Sequence, residues 1–308
     1  MVNYDREISL AVDIGHQAIK ITENLRQNIS KYYQKLDETP VSIADLAAQI
    51  YIIWRIKTHF PFDQIIAEEA NVELLDESAL ELIEKTFASL NIKNITDLRE
   101  ILLYRGNNSD RQWTVDPIDG TKGYQTGEYY AIGIGMMVKS IPKVATIVIP
   151  PLDNHKSMIL KAIQNEGAWS SPDRKSFKKI KVGSQNKLSK SRICHSLHFD
   201  LPLTEQFMKE AGIQDSVAMD SMIKFCEVAK GNCDIYFRPI SRGINAWDIV
   251  PGDLLVREAG GIVTDFKGNL LRYDGNKLEL TNPGFIATNK YLHPKILNIL
   301  KEKFYIDK

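Results

Sequence analysis

The sequence predicts an α/β (α+β) protein of two domains that share a cleft, and three observations carry that expectation. Its 308 residues, 44% hydrophobic and 25% charged, have ordinary globular usage and suffice for one large or two medium cores. Helical spacing dominates the first hundred residues and then gives way to a succession of strand candidates. From about residue 187 the pattern changes again, to short strands alternating with helices, as an α/β unit requires. The expected domains are therefore 1–186, an N-terminal α+β unit, and 187–308, a C-terminal α/β unit.

Each element follows in order. Ile8, Val12, Ala18, Ile21, Leu25 and Ile29 recur close to helical spacing and predict a helix over 5–35. A polar connector at 36–42, containing Pro40, separates it from a second helix over 43–58. Ile65-Ile66-Ala67 is a short apolar run that stops at Glu68-Glu69, as a strand whose end presents acids. Residues 73–104 read as helical with a break near 91–94, and 106–110 as a loop. Strand candidates at 129–138, 144–149 and 157–163 predict an antiparallel sheet. Arg174, Lys175, Lys178, Lys179 and Lys181 read as a solvated loop and edge strand rather than a binding site. The second domain would contain strands at 191–197, 234–238 and 262–265 and helices at 204–211, 221–230 and 247–259.

Composition excludes several function classes. Thirty-nine basic residues balance thirty-nine acidic ones, so no global field draws the chain to nucleic acid or an anionic membrane. No apolar run reaches the roughly 18 residues of a membrane span, and the N-terminus, with Asp5, Arg6 and Glu7, is neither a secretory signal nor an Arg-rich transit peptide. Cys194, Cys226 and Cys233 lack metal or redox spacing and read as small buried side chains. The expectation is a cytoplasmic monomer with neither nucleic acid nor a membrane as partner.

The most informative stretch is Asp116-Pro117-Ile118-Asp119-Gly120-Thr121, two carboxylates three residues apart where an apolar strand breaks into a turn. Pro117 biases Asp116 toward extended backbone, so Asp116 stands at the strand end and Asp119 just past the bend. Gly120 permits close approach of a ligand to the backbone, and a helix starting at Thr121 would favour a phosphate beside the hard cation that carboxylates attract. Taken alone, the segment also reads as an Asp-Pro/Asp-Gly surface turn. Three further acids lie in comparable settings: Asp45 in the first turns of a helix, Glu68 at a strand end, and Asp248 in Trp247-Asp248-Ile249-Val250-Pro251-Gly252-Asp253, followed by Glu258-Ala259-Gly260-Gly261. His195 and His198 lie three apart, but without a third nearby ligand they read as polar loop packing rather than zinc ligands.

In this combination and order the chain resembles the lithium-sensitive, magnesium-dependent phosphomonoesterases, the superfamily of inositol monophosphatases, inositol polyphosphate 1-phosphatases and 3'(2'),5'-bisphosphate nucleotidases. Within it the similarity is greatest to the nucleotidases, on Thr121-Lys122-Gly123-Tyr124, on the long span between Glu68 and Asp116, and on Asp220-Ser221-Met222-Ile223-Lys224-Phe225 leading to Asp234-Ile235-Tyr236-Phe237-Arg238. The resemblance implies a layered α-β-α-β-α sandwich and two or three Mg2+ per site, held by Glu68, Asp116, Asp119, Asp248 and the carbonyl of Ile118. It implies Asp45 and Thr121 as the water-activating pair and the N–H groups of Gly120 and Thr121 as phosphate contacts. Substrate contacts would come from His195, Ser221, Lys224 and Arg238. The implied substrate is adenosine 3',5'-bisphosphate; an inositol polyphosphate 1-phosphatase, a dual-specificity enzyme acting on both substrate types, or a catalytically silent nucleotide sensor are the alternatives. Ala67 stands where glycine usually precedes the metal glutamate, Ser42 where threonine is common, and Tyr124 where phenylalanine is usual.

Overall fold

A computed structural model describes residues 3–26, 32–34, 40–151, 157–197, 201–239, 244–273, 279–280 and 284–304. Its first half runs α1 (Asp5–Leu25), β1 (Tyr32–Gln34), β2 (Pro40–Ser42), α2 (Ile43–His59), β3 (Gln64–Ala67), α3 (Glu77–Ser89), α4 (Leu98–Leu103), β4 (Arg111–Asp119), α5 (Thr121–Thr126), β5 (Ala131–Val138), β6 (Ile141–Ile149), β7 (Met158–Ile163), β8 (Gly167–Ser171) and β9 (Lys178–Lys179). The second half runs β10 (Arg192–His195), α6 (Leu201–Ala211), β11 (Asp215–Ala218), α7 (Ile223–Ala229), β12 (Ile235–Pro239), β13 (Ile244–Asn245), α8 (Ala246–Glu258), β14 (Ile262–Asp265), β15 (Glu279–Leu280), β16 (Gly284–Thr288) and α9 (His293–Phe304).

Two sheets carry the architecture. The larger has the order β3-β4-β5-β6-β7-β8-β9, antiparallel from β4 onward, with β3 parallel to β4 at one edge. The smaller has the order β11-β10-β12-β16-β14. Strand periodicity sorts their side chains into separate cores. Trp113, Val115, Ile132 and Ile134 of the larger sheet meet α1 and α2, whereas Ala145, Ile147 and Leu160 on its other face meet Ile249, Val250 and Leu254 of α8. Cys194, Tyr236 and Phe285 of the smaller sheet join that same α7–α8 layer, and Ile193, Ile235 and Ile286 face α6 and α9. The result is the layered α-β-α-β-α sandwich, with α8 packed in its middle layer against β4, β5 and β6.

Small residues make that middle layer possible. A Cβ on Gly133 would lie 2.4 Å from Met222 Cε, one on Gly135 2.7 Å from Val250, and one on Gly252 2.2 Å from the Phe225 ring. The Pro251-Gly252 pair inside α8 is thus a packing device that lets the helix close on the sheet. Glu258, at the far end of α8, accepts the N–H groups of Asn165 (2.9 Å) and Gly167 (3.0 Å) in the turn between β7 and β8.

Several expectations need correction. The helix expected over 5–35 ends at Leu25, and Tyr32–Gln34 is a strand paired antiparallel with Pro40–Ser42. Adjacent tyrosines favour a pleated pair, and the pairing is invisible to a local periodicity count. The helix expected from residue 221 starts at Ile223, because Ser221 takes the left-handed conformation (φ 63°). β11, β16 and α9 were not anticipated. The basic stretch is, as expected, a loop and the edge strand β9, with Lys178 and Lys179 exposed. The three cysteines are buried and free. No helix among the described residues is long and apolar enough to cross a membrane.

Candidate active site

Strand β4 does not stop at Asp116. It continues through Pro117 to Asp119 across a β-bulge: Asp116 pairs with Gly133 and Asp119 with Ala131, three residues against two. This corrects the strand-end bend expected at Asp116. In a regular strand, residues three apart face opposite sides; the extra residue returns Asp119 to the face of Asp116. That face is the α8 side, because the neighbouring Gly133 and Gly135 abut Pro251. Glu68 follows β3 in parallel register with β4, its N–H donating to Val115 O at 3.2 Å, so it stands beside Asp116.

Asp248 arrives from the other half. It is the third residue of α8, and one carboxylate oxygen accepts the Asn245 N–H at 3.0 Å in a capping box. Asp116, Asp119 and Asp248 each bring a carboxylate oxygen within 4.8 Å of the others. The left-handed turn at Ser221 closes over the loop: Met222 N–H donates a short hydrogen bond to Asp119 Oδ2, and a Cβ on Gly120 (φ 95°) would approach Ser221 Cβ to 3.2 Å. The positive φ at 120 favours glycine, and the close Ser221 turn leaves little room for a side chain.

The electrostatics are those of a site built for a cation. Burial, then the charges of Glu68, Asp119 and Asp248, pushes the Asp116 carboxyl well above the usual carboxylate range. Burial and Asp119 do the same to Asp248, and burial pushes Asp119 up to about 7 against the opposing charge of Lys224. Glu68 stands close enough to Asp116 for its charge to be the largest contribution after burial. Asp116 Oδ1 is buried with no hydrogen-bond partner. Hard oxygen donors converging in this way fit a divalent cation such as Mg2+, whose charge would offset their mutual repulsion.

The remaining candidates fall around this cluster. Asp45 is buried in the first turn of α2. The Thr121 hydroxyl donates to Ile118 O at 3.2 Å. Lys224 is 3% exposed; its ammonium donates to Ser221 O (2.6 Å) and Met219 O (3.1 Å), and burial lowers its pKa while Asp119 and Asp220 oppose that shift. Arg238 is close enough to Asp248 and Lys224 to act on both by charge. The carbonyl of His195 accepts the Met219 N–H at 3.0 Å, and its ring nitrogen Nδ1 lies 3.0 Å from Ser196 O. His198 lies outside the described residues, as does the Ser42 side chain.

Sequence reasoning missed the residues that hold these acids in place. Asp220 is one of the charges that raise Asp119, and the Met222 backbone contributes its N–H. Gln49 and Arg105 hold the segment after Glu68. The polar Gln49 in an otherwise apolar helical run was the available signal.

Comparison with known proteins gives a consistent outcome. The model of the inositol monophosphatase family matches residues 4–304. The 3'(2'),5'-bisphosphate nucleotidase of Schizosaccharomyces pombe is 29% identical, covering 96% of this chain and 95% of its own, and that of Emericella nidulans is 28% identical over 98% and 99%. Among solved structures, the extragenic suppressor protein suhB of Bartonella henselae superposes with a TM-score of 0.72 at 19% identity, covering 97% of this chain and 100% of its own. The chain belongs to the inositol monophosphatase family.

Proposed function

We propose that the chain is a Mg2+-dependent phosphomonoesterase that removes the 3'-phosphate of adenosine 3',5'-bisphosphate, giving AMP and phosphate. The observation that carries this reading is the convergence of Asp116, Asp119 and Asp248, with carboxylate oxygens within 4.8 Å of one another and Glu68 close enough to Asp116 to act on it by charge. The nearly full-length similarity to curated bisphosphate nucleotidases supports the choice of substrate.

Two or three Mg2+ ions would be held by these four carboxylates and the Ile118 carbonyl, and would supply neutralisation of the phosphate and activation of a water. Ile118 O keeps a second lone pair while accepting from Thr121. The Thr121 hydroxyl turns from Ile118 to Asp45, orients the attacking water, and the pair takes up its proton. N–H groups of Gly120 and Thr121 hold phosphate oxygens as charge develops on them. His195, Ser221, Arg238 and the third N–H of Lys224 bind the ribose and the remote 5'-phosphate. Attack by water leaves no covalent phosphoenzyme.

Phosphate release with and without Mg2+, over adenosine 3',5'-bisphosphate, inositol 1,4-bisphosphate and adenosine 3'-monophosphate, tests the proposal. The expected result is Mg2+-dependent release, fastest from the adenosine bisphosphate and inhibited by millimolar lithium. Release from inositol 1,4-bisphosphate alone would reassign the chain to the inositol polyphosphate 1-phosphatases. No release from any of them would leave a nucleotide sensor.

A further inference from the structure

β3 is the edge strand of the larger sheet and only four residues long. Its neighbour within the sheet is β4, bonded beyond the strand end by Glu68 N–H to Val115 O at 3.2 Å; on the outer side the 105–106 segment bonds only its start, Arg105 O accepting the Ile65 N–H at 2.9 Å. Such a strand end frays unless something replaces the missing neighbour. Gln49 does so. Its side-chain amide donates to Glu69 O at 2.5 Å and accepts from Glu69 N–H at 2.8 Å, meeting both backbone groups of one residue as a second strand would. Arg105 adds a third bond to the same carbonyl at 2.7 Å.

The clamp has a direction. Gln49 is fully buried on α2, one helical turn after Asp45, so both side chains lie on the same helix face. Apart from Tyr51 and its hydroxyl, Asp45 and Gln49 are the only polar residues among those α2 buries. One end of this face carries the acid assigned to the water, and the other grips the residue next to Glu68.

We propose that Gln49 is a positioning residue that fixes the spacing between Asp45 and Glu68, and so holds Glu68 against Asp116 in the geometry that binds the divalent cation. The inference rests on the metal-site assignment above. An amide that holds the segment next to a ligand acts as an outer-shell partner does, and loss of such partners costs about 10- to 100-fold in metal affinity or activity.

The test is Mn2+ binding, read by the loss of the free-ion EPR signal, together with steady-state kinetics on the full chain. Gln49→Leu removes both bonds at similar size. The expected result is a roughly tenfold weaker Mn2+ affinity and a fall in kcat of about tenfold or more, with KM for adenosine 3',5'-bisphosphate changed less than about twofold. Ile53→Val, also buried on α2, controls for loss of stability alone and should leave Mn2+ affinity unchanged. If Gln49→Leu lowers Tm but binds Mn2+ and turns over as the parent does, Gln49 only packs and the inference is overturned. If Gln49→Leu does not fold, Arg105→Met replaces it, with a loss in the same direction of about threefold expected and no change overturning the proposal. Failure of the parent chain to bind Mn2+ would overturn the metal-site assignment instead.

Discussion

The two ends of the β3–β4 pair hold buried acids under opposite regimes. At the N-terminal end, Asp63 accepts Arg111 Nε at 2.9 and 3.2 Å and Trp113 Nε1 at 2.9 Å, while Arg111 also reaches Glu7 at 2.8 Å. At the C-terminal end, some five residues along the same strands, Asp116 is 1% exposed and faces three other acids. One end satisfies its carboxylate with protein cations and donors. At the other, like charges converge and Asp116 Oδ1 is buried without a hydrogen-bond partner. A fold that concentrates like charge at one end of a strand pair must gain stability elsewhere, and the matched end is one place where it does.

The comparison is broken most sharply at Asp116. In Asp116→Asn the Mg2+-dependent rate should fall about 1000-fold, roughly 4 kcal/mol of transition-state stabilisation, because the proposed site would lose a central ligand. The metal-free protein should melt higher than the parent, since a buried acid repelled by three others becomes neutral. Addition of Mg2+ should raise its Tm less than it raises the parent's. Phosphate release and melting curves with and without Mg2+ check all three. A metal-free Tm below that of the parent would show that Asp116 contributes to the fold as Asp63 does.

Asp63→Asn is the reciprocal change, with a smaller effect of a different kind. It leaves Arg111 and the Trp113 N–H short of an acceptor, so stability should fall by about 2 kcal/mol. That is less than is typical of a fully buried pair, because the Arg111 side chain is 31% exposed. Turnover per folded molecule should not change. Denaturant unfolding paired with active-site-normalised kcat separates the two, and a fall in kcat would tie the matched end to the chemistry.

What was legible in the sequence follows the same division. Asp116 and Asp119 lie in one covalent stretch with Pro117 and Gly120, so their clustering could be read from spacing, and the family's ordered motifs supplied Asp248 as its third member. The bulge that turns Asp119 onto the face of Asp116 could not be read, because it exists only in the register of β4 against β5. The matched end was not read at all. Asp63, Arg111 and Glu7 are far apart in sequence, and each alone is an ordinary surface charge. Gln49 and Glu69, 20 residues apart, were hidden for the same reason. The strand at Tyr32–Gln34 failed on a different ground, since local periodicity outvoted a non-local pairing.

Lys224 tests whether the cationic side of the reactive end serves the fold or the substrate, and it should give the smallest effect. Its ammonium already holds the Ser221 turn through two carbonyls, and it lies close enough to Asp119 to oppose that acid's raised pKa. A lysine has three donors, so one is left for a phosphate remote from the reacting centre. If that donor binds the 5'-phosphate, Lys224→Met should raise KM for adenosine 3',5'-bisphosphate about tenfold, roughly 1.4 kcal/mol of binding, with kcat little changed. Adenosine 3'-monophosphate has no 5'-phosphate to lose, so its kcat/KM should change less than about threefold. Remote binding energy is removed in one case and was never present in the other. An equal loss for both substrates would instead assign Lys224 to Asp119, a protein cation matched to an acid as Arg111 is to Asp63, and the two ends of the strand pair would differ less than their burial and hydrogen bonding indicate.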